Sequence, residues 1–250
     1  MSETLAAVRA EAAKLRGVRG TLAALLLFAP FSLLVAALDG WSAKGAIDSG
    51  SSGLRSDFTP EQAGLDGVLY GQLALIVFGV LIVSAEYGSG MMRVSLLAVP
   101  RRGRLYLAKM TVTTLAAAAL AVPVTVAGYL VTQAALGSHG STLGADGVPR
   151  ALAGAVVYLT LMTLFAASVA ATARSAVLPL AVLLPMVLAG SQILSVIGAT
   201  KDLVRYFPDQ AGSELLDVHS DGALRGAVIL LLWTAAGLVC GYVRHRRWDG

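Results

Sequence analysis

Apolar residues along the chain fall into six long runs, and the polar stretches between them set the boundaries. The runs cover about residues 21–38, 66–85, 110–136, 151–173, 176–200 and 223–243. Each approaches the ~20 residues a helix needs to cross the hydrocarbon of a bilayer. None alternates with the period of two that marks a half-buried strand. The pattern therefore predicts an all-α integral membrane protein. It has six transmembrane helices in one transmembrane domain over residues 1–250.

Residues 1–20 read differently. Leu5, Val8, Ala12, Leu15 and Val18 recur at three and four residues, while Arg9, Glu11, Lys14 and Arg16 fill the other faces. This spacing predicts an amphipathic helix lying at the membrane surface. The alternative is a basic flank that only sets orientation. Residues 39–66 form a polar loop, yet Thr59-Pro60-Glu61-Gln62 within it carries a helix-start signature, so the second helix begins near Pro60. Pro179 and Pro185 predict a bent or broken fifth helix. Arg174-Ser175 is too short a turn for anything but antiparallel neighbours. In the loop 201–222, Phe207-Pro208 and Leu215-Leu216 are apolar anchors for a short helix pair dipping into the membrane face.

Composition sharpens the class. The chain is 56% hydrophobic and 14% charged, against about 25% charged for a typical soluble domain. With the N-terminus inside, the inner segments carry thirteen bases and four acids, and the outer ones six bases and eleven acids. This split puts both termini in the cytoplasm. It also explains the net charge of +4 without nucleic acid as a partner. The single cysteine, Cys240, excludes an intrachain disulfide, and the three histidines stand apart from it and from one another, so no metal site is expected. No Gly-x-x-x-x-Gly-Lys-Ser/Thr loop is present.

The interiors of the apolar runs contain no Asp, Glu, Lys, Arg or His, with Asp66 and Arg225 standing at the ends of theirs. Ion-coupled carriers keep such groups in the membrane because coupling needs them. Their absence points to an energy source outside the chain, although coupling through backbone carbonyls stays open. Among the polar residues within the runs, Gln72, Ser191 and Gln192 stand out, as contacts to cargo or as hydrogen bonds between helices. Gly222-x-x-x-Gly226 and Gly237-x-x-x-Gly241 match the close-packing pattern of membrane helices and suggest a dimer face.

The most informative stretch is residues 86–109. Glu86 is followed by Gly88 and Gly90, an apolar segment from Met91 through Leu96 and Leu97 to Val99, then Pro100, Arg101, Arg102 and Arg104, with Lys109 opening the next run. Ser89 can cap a short helix, and Pro100 ends it by pushing the preceding residue out of the α region. A lone acid among five bases should be paired, and Arg93, Arg101, Arg102 and Arg104 are the candidates. This order resembles the loop after the second span in permease subunits of type-2 (exporter class) ABC transporters, with Met91 where that family usually has Thr. The resemblance implies that residues 91–99 are a coupling helix docked on an ATPase, with Glu86, Gly90, Met91, Leu96, Leu97, Pro100, Arg101 and Arg102 as coupling residues. It places Gln72, Ser191 and Gln192 on the substrate path, because the second and fifth helices of two subunits line it. It implies two ATPase chains as partners, a second copy of the chain or a related permease, and membrane lipids. ATP and Mg would sit on the ATPases, with no cofactor in this chain and no enzymatic activity of its own. The expected cargo is a hydrophobic or amphipathic compound exported across a bacterial plasma membrane, as in multidrug efflux. The alternatives are an ion-coupled carrier or channel, and a non-transporting immunity or sensor protein.

Overall fold

The structure, a computed structural model, describes residues 3–17, 19–50, 58–88, 102–197 and 200–247. Among them there is no strand. Helix α1 spans Glu3–Gly17, α2 Arg19–Asp48, α3 Pro60–Gly88, α4 Arg102–Leu136 and α5 Val148–Ala173. The fifth run is divided into α6 (Val177–Pro185), a π turn (Met186–Gly190) and α7 (Ser191–Val196). Two short helices follow, α8 (Lys201–Val204) and α9 (Pro208–Ser213), and α10 covers Ala223–Arg246. Six helical segments are long and apolar enough to cross a membrane.

Helices α3 and α5 form the centre, with α2, α4 and α10 packed around them and α6–α7 at the edge. Small residues let these helices approach. A side chain at Gly79 of α3 would run into Thr163 of α5, and one at Gly71 into Ser32 of α2. Close backbone approach of this kind drives helix association where lipid is as apolar as the side chains. The outward faces carry Leu26, Leu34, Leu115, Val182 and Leu232, all exposed, as a lipid-facing surface requires. Both small-residue pairs of α10 are used inside the chain. Gly226 abuts Ala211 and Glu214, while Gly237 and Gly241 abut Ser168 and Tyr106. They therefore give no support to the expected dimer face.

Three boundaries differ from the pattern. Helix α2 continues past Leu38 to Asp48, so much of the expected polar loop is helix. Its continuation packs on α4, where Gly40 abuts Thr132 and Ala135, and Thr132 Oγ1 donates to the Ala36 carbonyl at 3.0 Å. Helix α4 starts at Arg102 rather than near residue 110. The last helix of the fifth run ends at Val196, not at Thr200. As a result Asp39 and Lys109 lie on helices that cross, although the interiors of the apolar runs hold no charge. The start of α3 follows the signature, with Thr59 Oγ1 accepting from the Gln62 amide at 3.3 Å. The Gln62 side chain turns to the Val218 amide instead of completing a reciprocal cap.

Helix α1 packs against α4. Leu5 and Ala12 of the apolar stripe are exposed, while Ala7 and Glu11 are buried. The charged face turns inward because its partners lie on α3 and α4.

Candidate functional site

At the end of the bundle where the basic residues gather, four charged side chains meet. Lys14 Nζ lies 2.6 Å from Glu11 Oε1 and 2.9 Å from Glu86 Oε1. Lys109 Nζ lies 2.5 Å from Glu11 Oε2 and 2.9 Å from the same Glu86 oxygen. Each base touches both acids, so charge alternates around the cluster. Glu11, Glu86 and Lys109 are each at most 4% exposed. Burial pulls the Lys14 ammonium down, but its bonds to Glu11 and Glu86 outweigh that and set it above its ordinary range.

Glu86 is thus paired, and its partners include Lys14 and Lys109, which the sequence had not named; of the named arginines, Arg93 and Arg101 lie outside the described residues. Arg102 instead donates to the Arg246 carbonyl at 3.2 Å. Gly90, Met91, Leu96, Leu97, Pro100 and Arg101, with the rest of the expected coupling helix, lie outside the described residues. Beside the cluster, buried His245 of α10 stands 3.2 Å from the Tyr87 hydroxyl through Nδ1 and stacks near Tyr106. The last turn of α10 is thereby fixed to the end of α3.

Toward the opposite end, α2, α3, α5, the π turn with α7, and α9 enclose a cavity of about 610 Å³. Gln72 and Gln192 both line it, and Ser191 is buried next to it. Two of the three polar residues singled out within the runs, Gln72 and Gln192, therefore converge on it. Their roles differ. Gln72 Nε2 donates to the Leu69 carbonyl at 2.6 Å, and Gln72 Oε1 accepts from the Tyr158 hydroxyl. Gln72 joins α3 to α5 and meets the cavity from its wall. Gln192 is exposed to the cavity from α7.

Asp209 also lines this cavity, from the second residue of α9, and no sequence pattern had marked it. It is 5% exposed. Gln210 Nε2 lies 3.3 Å from Oδ2, while Oδ1 and the neighbouring Ser191 hydroxyl make no hydrogen bond. Burial pushes the Asp209 carboxyl above the ordinary carboxylate range. Phe207-Pro208 gave the available signal: Phe207 is extended and Pro208 opens α9, which fixes Asp209 at the helix start, facing the bundle.

No curated protein matches the chain. A family model described as ABC-2 family transporter protein matches residues 7–199, from α1 through the fifth run. Six membrane-crossing segments with a cavity among them, and a match of that extent, make this chain a multi-pass membrane permease belonging to the ABC-2 transporter family.

Proposed function

We propose that this chain is the permease of an ATP-driven exporter, which moves a hydrophobic or amphipathic compound across a plasma membrane. Two ATPase chains and a second permease, identical or related, complete the assembly. The observation that carries the reading is the convergence of Gln72 and Gln192 at one cavity of about 610 Å³. Ligand sites commonly measure about 300–1,000 Å³. The cavity is the cargo site, bounded by the second and fifth spans. Residues 91–99 dock on the ATPase, and the cluster around Glu86 links the base of the second span to α1 and α4.

The test is reconstitution of the full chain with an ABC ATPase partner. Leu96→Arg puts an unpaired charge in the docking contact, where it costs several kcal/mol. That variant should insert in the membrane yet fail to co-purify with the ATPase. Glu86→Gln should assemble and hydrolyse ATP but lose transport. Transport that persists without any ATPase and follows an ion gradient would replace this reading with an ion-coupled carrier.

A further inference from the structure

The cargo cavity, if it serves as proposed above, also has a charge preference. Its wall carries three carboxylates, Asp39, Asp66 and Asp209. Among the described residues it carries no Lys, Arg or His. Lys44, on the same helix as Asp39, reaches the turn at Gly137 instead. Asp66 accepts from Gln62 Nε2 at 3.2 Å, so part of its charge is already met. Asp209 is the outlier, a carboxylate 95% removed from solvent with one oxygen lacking any hydrogen bond. A buried carboxylate without a counter-charge is unfavourable, and folds keep one only where something compensates it. Tyr70 adds a ring face, and Leu69, Leu73 and Val187 add apolar wall. A ring face attracts a cation and tolerates an apolar body.

We propose that the cavity takes organic cations: compounds with one positive charge on an apolar body, the charge seated against Asp209. The fold has already carried the desolvation of the carboxylate, so an arriving cation gains its full attraction. An anion of the same shape meets three negative groups and is rejected, which is discrimination by repulsion.

The test uses the full chain in phosphatidylcholine nanodiscs, with tetraphenylphosphonium and its shape-matched anion tetraphenylborate as probes. Saturable binding of the phosphonium is expected, with no competition from the borate. Asp209→Asn keeps size and should weaken phosphonium binding at least tenfold, while Asp209→Glu should retain most of it. Unchanged melting behaviour or a higher melting temperature in Asp209→Asn separates loss of the charge from loss of the fold. Equal binding of both ions, no saturable phosphonium binding, or wild-type affinity in Asp209→Asn would each overturn the inference. Ser213→Trp, which fills the cavity, keeps the two readings apart. If it blocks transport by the assembled exporter while Asp209→Asn binds the phosphonium normally, the cargo site stands and the cation preference falls. If it leaves transport intact, the cavity is not the cargo site.

Discussion

Replacing Glu11 by glutamine removes one of two negative charges from a cluster that holds two positive ones. Lys109, 4% exposed, would be left sharing Glu86 with Lys14. Removing one partner of a buried ion pair costs about 3–5 kcal/mol. Glu11→Gln should therefore lower the melting temperature clearly. Asp202→Asn breaks an exposed pair with Arg205 at 2.8 Å and should change stability by about 0–1 kcal/mol. Equal effects of the two substitutions in thermal denaturation would show that the cluster is not stabilising. Asp209 has the opposite sign. Because its folded carboxyl titrates above the ordinary range, the folded state holds that proton more tightly than the unfolded chain. Stability is therefore lost as pH rises from the ordinary carboxylate range, near 4, through the raised value. Asp209→Asn escapes this penalty. It should melt higher than wild type at pH 7.5, with the gap closing as the pH is lowered toward 4.

Among the elements, the fifth span, where prolines predicted a bend or break, stays helical throughout and carries a π turn. Pro185 has no amide hydrogen, and its ring crowds the preceding turn. The chain answers with a π turn, in which the Ser191 amide donates to the Met186 carbonyl five residues back. This turn sets the angle at which Val187, Leu188 and Gln192 face the cavity. Pro185→Ala should restore regular helix through residues 186–190, seen as slower amide hydrogen exchange there, and should rotate Gln192 away from the cavity. Unchanged exchange would mean that packing, not the proline, holds the turn. The number of spans, the start of α3 and the irregularity of the fifth span were legible because length, a capping residue and proline act locally. The extension of α2 was not, since Asp39, Gly40, Ser42 and Lys44 resemble a loop until α4 covers them. The inward face of α1 was hidden for a similar reason. A charged face reads as solvated unless its partners are known, and those of Glu11 and Lys14 come from α3 and α4. Asp209 sat in an acidic loop where only the helix start at Phe207-Pro208 set it apart from its exposed neighbours.

Over the whole molecule, charge is sorted by end. Helix α1, the last turn of α10, Arg102 and Arg174 lie at one end; Asp48 and Asp217 lie at the other. If the basic end faces the cytoplasm, Ser138→Cys in a Cys240→Ala background should react with an impermeant thiol reagent on intact cells, and Ala13→Cys should not. Both positions are exposed, so reactivity reports sidedness and not burial. The reverse result would invert the molecule. The four-charge cluster also has a consequence for biogenesis. Glu11 leaves the ribosome 98 residues ahead of Lys109. At about 5–20 residues per second, that is an interval of roughly 5–20 s. Throughout it Glu11 has Lys14 of its own helix but not Lys109 as a partner, and the base of the second span has no base of α4 beside it. The N-terminal helix therefore completes its docking contacts only after the start of the third span has been made, and a chain that stalls before then displays a half-paired charged face to the quality-control machinery.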